Sequence, residues 1–82
     1  MYEHGLGVPV DYGRAKQLYE QAHEAGNADA TNSLAIMYQK GLGVPVDYGR
    51  AKQLFEQAHA AGHADATYNL GSMYYDLSLI HI

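Results

Sequence analysis

Cysteine and tryptophan are absent from these 82 residues, phenylalanine occurs once and proline twice. Without cysteine there is no disulfide, no thiolate metal ligand and no cysteine nucleophile. Basic residues are few and scattered over Arg14, Lys16, Lys40, Arg50 and Lys52. A phosphate-binding surface needs such charges clustered, and the formal net charge of −4 adds to the case, so nucleic acid is not an expected partner. No apolar run approaches the roughly 20 residues that span a bilayer, so membrane insertion is not expected. Alanine and tyrosine, by contrast, supply much of the apolar surface. Apolar residues make up 48% and charged ones only 17%. That mixture suits closely spaced helices with small contact residues better than a thick sheet-based core. The length is enough for one small domain.

Self-comparison is the decisive observation. The run Gly5-Leu6-Gly7-Val8-Pro9-Val10-Asp11-Tyr12-Gly13-Arg14-Ala15-Lys16-Gln17-Leu18 recurs unchanged as Gly41 to Leu54, 36 residues on. Carried further, residues 5–31 and 41–67 differ only at Tyr19/Phe55, Glu24/Ala60 and Asn27/His63. Met1-Tyr2 returns as Met37-Tyr38 and again as Met73-Tyr74.

Each unit predicts two helices. The first, roughly Ala28 to Lys40, places Ala30, Leu34, Met37 and Tyr38 at helical spacing. Asn27 suits its N-cap, and Asp29 suits the positive end of the helix dipole. Gly41 should end it in a left-handed conformation, Gly43 permits a second unusual angle, and Pro45 prevents continuation. Asp47 then caps a second helix, roughly Tyr48 to Ala61, whose apolar positions are Tyr48, Ala51, Leu54, Phe55 and Ala58; Gly62 closes it. Gly49, inside its first turn, costs about 1 kcal/mol relative to Ala, and close approach of a neighbouring helix is one reason for it. A single hairpin cannot bury its own apolar stripe, so neighbouring units must stack. The expected organisation is a partial repeat over 1–26, a complete one over 27–62 and the first helix of a third over 63–76. Met1 is in register with internal residues, and both ends are read as cuts through a longer array whose further repeats pack against this segment.

After Met73-Tyr74 the register predicts a Gly-x-Gly-Val-Pro loop, yet the chain reads Leu77-Ser78-Leu79-Ile80-His81-Ile82. That hexapeptide is the translation of CTG TCT CTT ATA CAC ATC, which resembles a transposase end sequence used as a sequencing-library adapter. Residues 77–82 are therefore expected to be translated adapter; a natural hydrophobic tail capping the array is the alternative.

The pattern resembles the Sel1-like repeat family, a relative of the tetratricopeptide repeats, over residues 1–76. The residues that carry the resemblance are Ala30, Leu34, Tyr38, Gly41, Gly43, Val44, Asp47, Arg50-Ala51, Phe55, Ala58 and Gly62, then Ala66, Leu70-Gly71 and Tyr74 in the last copy. A tetratricopeptide array would repeat at 34 and lack the Gly-x-Gly-Val loop. Ala35 departs from the family's usual Gly. His23 and His59 stand where a second Ala is usual, and a larger ring near the inter-helix seam implies looser packing there. The resemblance implies an all-α fold, an α-α solenoid wound as a right-handed superhelix of helix-turn-helix repeats. It further implies an interaction scaffold whose first helices line a concave face, as in members that act as adaptors in membrane-protein degradation, signalling and bacterial–host contact. Which role applies does not follow from the fold.

Candidate chemistry is sparse. The Gly-Leu-Gly loop follows no predicted strand, has no third glycine at Val10 or Val46 and no P-loop Lys-Ser/Thr, so it is read as turn geometry and no cofactor is expected. His59 and His63 are four apart, as in helical zinc pairs. Gly62 interrupts that helix and Asn27 replaces His63 in the other copy, so a partly buried ring and a helix cap are the expected roles and no metal is predicted. Asp11, Asp29, Asp47 and Asp65 are spread over helix starts. Ser33 and Ser72 have no matched base, and no catalytic residues are assigned; an enzyme is not expected.

One difference between copies points at function. Residues 32–40 and 68–76 differ at Asn32/Tyr68, Ser33/Asn69, Ala35/Gly71, Ile36/Ser72, Gln39/Tyr75 and Lys40/Asp76. At about 100° per residue, positions 32, 33, 36, 39 and 40 fall in a stripe about 120° wide, opposite Ala30, Leu34 and Met37. Meanwhile Lys16, Gln17, Glu20 and Gln21 are identical to Lys52, Gln53, Glu56 and Gln57. Diversification of a binding face explains this; so do drift and a recombination tract that homogenised the second helix. The candidate partner-binding residues are Asn32, Ser33, Ile36, Gln39, Lys40, Tyr68, Asn69, Ser72 and Tyr75, with a protein or peptide as partner. The rival expectations are a structural spacer and a regulatory appendage of a larger protein.

Overall fold

The structure is a computed structural model that describes residues 11–80, with side chains described through Tyr75. The expectations for Met1-Tyr2, for the first copy of the glycine loop and for the last two residues of the tail lie outside the described residues.

Among the described residues there are four helices: α1 (Tyr12–Glu24), α2 (Ala28–Lys40), α3 (Tyr48–Ala60) and α4 (Ala64–Ile80). Each start has a local cause. Asp11 and Asp47 accept the N–H groups of Arg14 and Arg50 at 3.0 Å, and Asn27 accepts that of Ala30 at 3.1 Å. These caps satisfy donors that the first turn cannot pair within the helix. Gly41 ends α2 at φ 71°, where a side chain would be strained, and the Leu42 N–H closes the turn on the Met37 carbonyl at 2.9 Å. The loop then folds back until the Asp47 N–H reaches the Tyr38 carbonyl at 2.9 Å. Gly43, at φ 74°, has a second reason to be glycine, since a Cβ there would collide with Tyr12 at the start of α1. The loop of one repeat thus rests on the second helix of the repeat before it.

Gly49 has no such reason. The nearest atom to a Cβ there is the Asp47 carboxylate oxygen at 3.6 Å, an ordinary contact. The expected approach of a neighbouring helix is absent, and nothing in the structure explains the residue.

Sequential helices pack as α1 on α2, α2 on α3 and α3 on α4. The core gathers Leu34 and Ala35 from α2, Ala51, Leu54, Phe55 and Ala58 from α3, and Ala66 and Met73 from α4, with Ile36, Tyr38 and Leu70 against it. Alanine at four of the eight buried positions lets the helices approach closely. Phe55, fully buried, fills the space among them. Burying such a side chain is worth about 1.5–3 kcal/mol.

α4 runs 17 residues against 13 for α2. No glycine follows Tyr74-Tyr75-Asp76 to stop it, so the helix continues through Leu77–Ile80 where the register predicted a loop.

Candidate functional site

The positions that differ between copies lie on α2 and α4, the first helices of consecutive repeats. Their surroundings divide them into two groups. Asn32 was expected on the exposed stripe but is only 8% exposed, its Oδ1 accepting the Asn69 side-chain N–H at 3.1 Å. Ile36 is half-buried against the core, and Gln39 is half-buried as well. The single exposed stripe of the sequence reading is therefore corrected. Neighbours approach α2 over a wider arc than its apolar pattern marks, because His23 of α1 meets Thr31, Asn69 of α4 meets Asn32 and the α3 core packs with Ala35.

What remains open on α2 is narrower. Asp29 and Lys40 are exposed, with Ser33 and Ile36 partly so between them. At about 100° per residue these four fall within about 60° of one another. The matching positions on α4 are Asp65, exposed, and Asn69 and Ser72, half-buried. On α4 the remaining candidates, Tyr68 and Tyr75, are 76% and 68% exposed and line a shallow groove with Thr67, Gly71 and Ser72. Their register mates on α2, at 32 and 39, are on the covered side.

Two side-chain links hold α2 and α4 in register, and neither was legible in the sequence. Besides Asn69 to Asn32, His63 Nε2 lies 2.6 Å from Asp29 Oδ1. The opposite ring nitrogen, Nδ1, accepts the Ala66 N–H at 3.1 Å, which puts the ring proton on Nε2, facing the carboxylate. His63 is thus the expected helix cap and, in addition, a tie to the preceding repeat. The separations, 34 and 37 residues, straddle the 36-residue period. The Asn27/His63 difference was the available signal.

His23 and His59 do not loosen the seam. Each Nδ1 meets a threonine hydroxyl on the next helix, Thr31 at 2.6 Å and Thr67 at 2.7 Å. Each threonine hydroxyl in turn donates to a backbone carbonyl, Asn27 or His63. The hydroxyl therefore accepts from the histidine, and the seam is hydrogen-bonded where bulk alone suggested a gap. On the outer surface the lysines of the second helices are also held in repeat. Lys16 is raised above the usual lysine value chiefly by its 2.9 Å bond to Glu20, then by Tyr38. Lys52 is raised chiefly by Tyr74, over whose ring it sits, then by Glu56.

The family model for the Sel1 repeat matches residues 1–27, 28–63 and 64–78. The chain belongs to the Sel1 repeat family. Those boundaries fall within one residue of the helix-pair boundaries set by Asn27 and His63. No curated protein and no solved structure matches the chain. Sel1 repeats are generally protein–protein interaction modules, and the family is a non-catalytic scaffold type. No helix among the described residues is long and apolar enough to cross a membrane. No group of three or more histidine, aspartate or glutamate side chains is placed to hold a metal ion among them.

Proposed function

We propose that this Sel1 repeat segment binds an extended peptide or a protein loop along the open arc of its first helices, over Asp29, Ser33, Ile36 and Lys40 of α2 and Asp65, Asn69 and Ser72 of α4. The observation that carries this reading is the enclosure of α2. With α1 and α3 packed on it and His63 and Asn69 tied to its side chains, one narrow stripe is left open, and the copies differ there at 33/69, 36/72 and 40/76. Ser33, Asn69 and Ser72 offer donors and acceptors to a peptide backbone, while Ile36 offers one apolar contact between opposite charges. Side-chain ties between α2 and α4 hold this surface rigid, which lowers the ordering cost of binding. In the same reading, the uncovered side of α4 is a packing face for another repeat, as the equivalent side of α2 is for α3.

A displayed peptide library selected on the chain, with each hit then measured against Ser33→Arg/Ser72→Arg and Lys40→Glu variants, tests the binding face. Peptides that lose tenfold or more in affinity, against variants with unchanged circular dichroism, support it. Hits that bind the variants equally well, or no hits at all, would favour the spacer role.

A further inference from the structure

Most contacts that stack these repeats are made by residues the copies share. α1 and α3 differ only at Tyr19/Phe55 and Glu24/Ala60. Ala30, Leu34, Met37 and Tyr38 of α2 return as Ala66, Leu70, Met73 and Tyr74 of α4. The histidine–threonine seams use the same two residue types in both places, His23 with Thr31 and His59 with Thr67. Such contacts suit one first helix as well as the other, so they do not tell α2 from α4. Near-identical units are for that reason exposed to slipped or exchanged stacking.

The two contacts that cross from α2 to α4 are of another kind. Asp29 meets His63 at 2.6 Å and Asn32 meets Asn69 at 3.1 Å. Three of these four residues stand where the copies differ: Asn32 against Tyr68, His63 against Asn27 and Asn69 against Ser33. Only Asp29 recurs, as Asp65. Asn32 is the telling member, an amide only 8% exposed beside an apolar core. An amide in such a place is costly unless paired, whereas an apolar residue would make no demand on its neighbour. A buried polar residue of this sort penalises the wrong partner, as one buried asparagine fixes register in a coiled coil. We propose that Asn32 with Asn69, and Asp29 with His63, form a matching code between successive first helices that fixes which repeat stacks on which. Repeats whose bodies are interchangeable are ordered by these two polar pairs. The differences at 27/63 and 32/68 then belong to the junction, while those at 36/72 and 40/76 remain on the outer stripe.

Urea unfolding of two reciprocal variants of the whole chain tests this. His63→Asn/Asn69→Ser gives α4 the residues of α2, and Asn27→His/Ser33→Asn gives α2 those of α4. If these residues acted only as helix caps and helix formers, the two exchanges would shift stability by equal and opposite amounts. A matching code makes them unequal. The first should lower the folded-to-unfolded ratio about tenfold, because buried Asn32 loses its partner. The second should leave the ratio within about twofold of the parent. A double-mutant cycle on Asn32→Leu and Asn69→Leu reads the same pair independently. Asn69→Leu alone should lose about tenfold, and adding Asn32→Leu should regain about fivefold, since two apolar partners leave no amide unpaired. An Asn69→Leu chain that fails to fold, rescued by the second substitution, is the same recovery. Equal and opposite exchanges overturn the proposal, as do leucine substitutions whose losses simply add. Neither measurement involves a peptide, so its failure leaves the binding face of the first helices untouched.

Discussion

α2 and α4 begin with the same four residues, Ala-Asp-Ala-Thr, and occupy the same register, yet one is enclosed and the other half bare. Thr31 is buried and Thr67 exposed; Asn32 is buried and Tyr68 stands out in solvent. The same contrast separates α3, with four buried residues, from α1, with none. Identical local sequence fixes the helix, its cap and its apolar face. Whether that face is buried depends on the repeat beside it, since each unit is packed by its neighbours.

The largest test of this contrast compares Phe55→Ala with Tyr19→Ala, at matched positions. The first should cost about 3–5 kcal/mol, the second about 1 kcal/mol or less because its ring is already half in water. Urea unfolding measures both, and equal losses would break the comparison. Next, Ala35→Leu should destabilise by about 1–3 kcal/mol through overpacking. Gly71→Ala, facing open space in a helix, should stabilise by about 0.5–1 kcal/mol. A loss on Gly71→Ala would mean that this side of α4 is covered. Third, Thr31→Val, which removes the hydroxyl bonded to His23 at a buried site, should cost about 1 kcal/mol. The exposed Thr67→Val should cost less, because water replaces the lost partner of His59.

The smallest effect is in alkaline titration. Lys52 is held above the ordinary lysine value of 10.5, chiefly by Tyr74, over whose ring it sits, and then by Glu56. A folded value above the unfolded one means that its contribution is complete below about 10.5 and fades as pH rises through the folded value. Lys52→Met should therefore flatten the fall in stability above that pH without changing stability's pH dependence near neutrality. Lys16→Met should act alike, but through Glu20 first, so Glu20→Gln should mimic it. A Lys52→Met chain whose alkaline curve matches the parent would show that the pairing contributes nothing.

Much of the fold was legible because its determinants are local. Asn27 and Asp47 cap from within their own turns, Gly41 stops α2 by its own backbone angle, and the 36-residue period dictates stacking. The candidate site was legible only in part. Ser33, Lys40, Asn69 and Ser72 stay near the open arc and Tyr68 and Tyr75 are exposed, but Asn32 went inside. Helical phase predicts which residues share a face. It carries no account of how many neighbours that face will meet.

The sequence by itself determined the helices, the ends of the first three to within a residue, the repeat and the family, since each rests on contacts within a few residues or on identity between copies. Only the tertiary structure decided that His63 reaches Asp29, that the histidine–threonine seams are hydrogen-bonded, and that Asn32 is buried where Tyr68 is exposed. Those facts depend on helices meeting across 8 to 37 residues of chain, and burial there comes from the neighbour's surface as much as from the residue's own polarity.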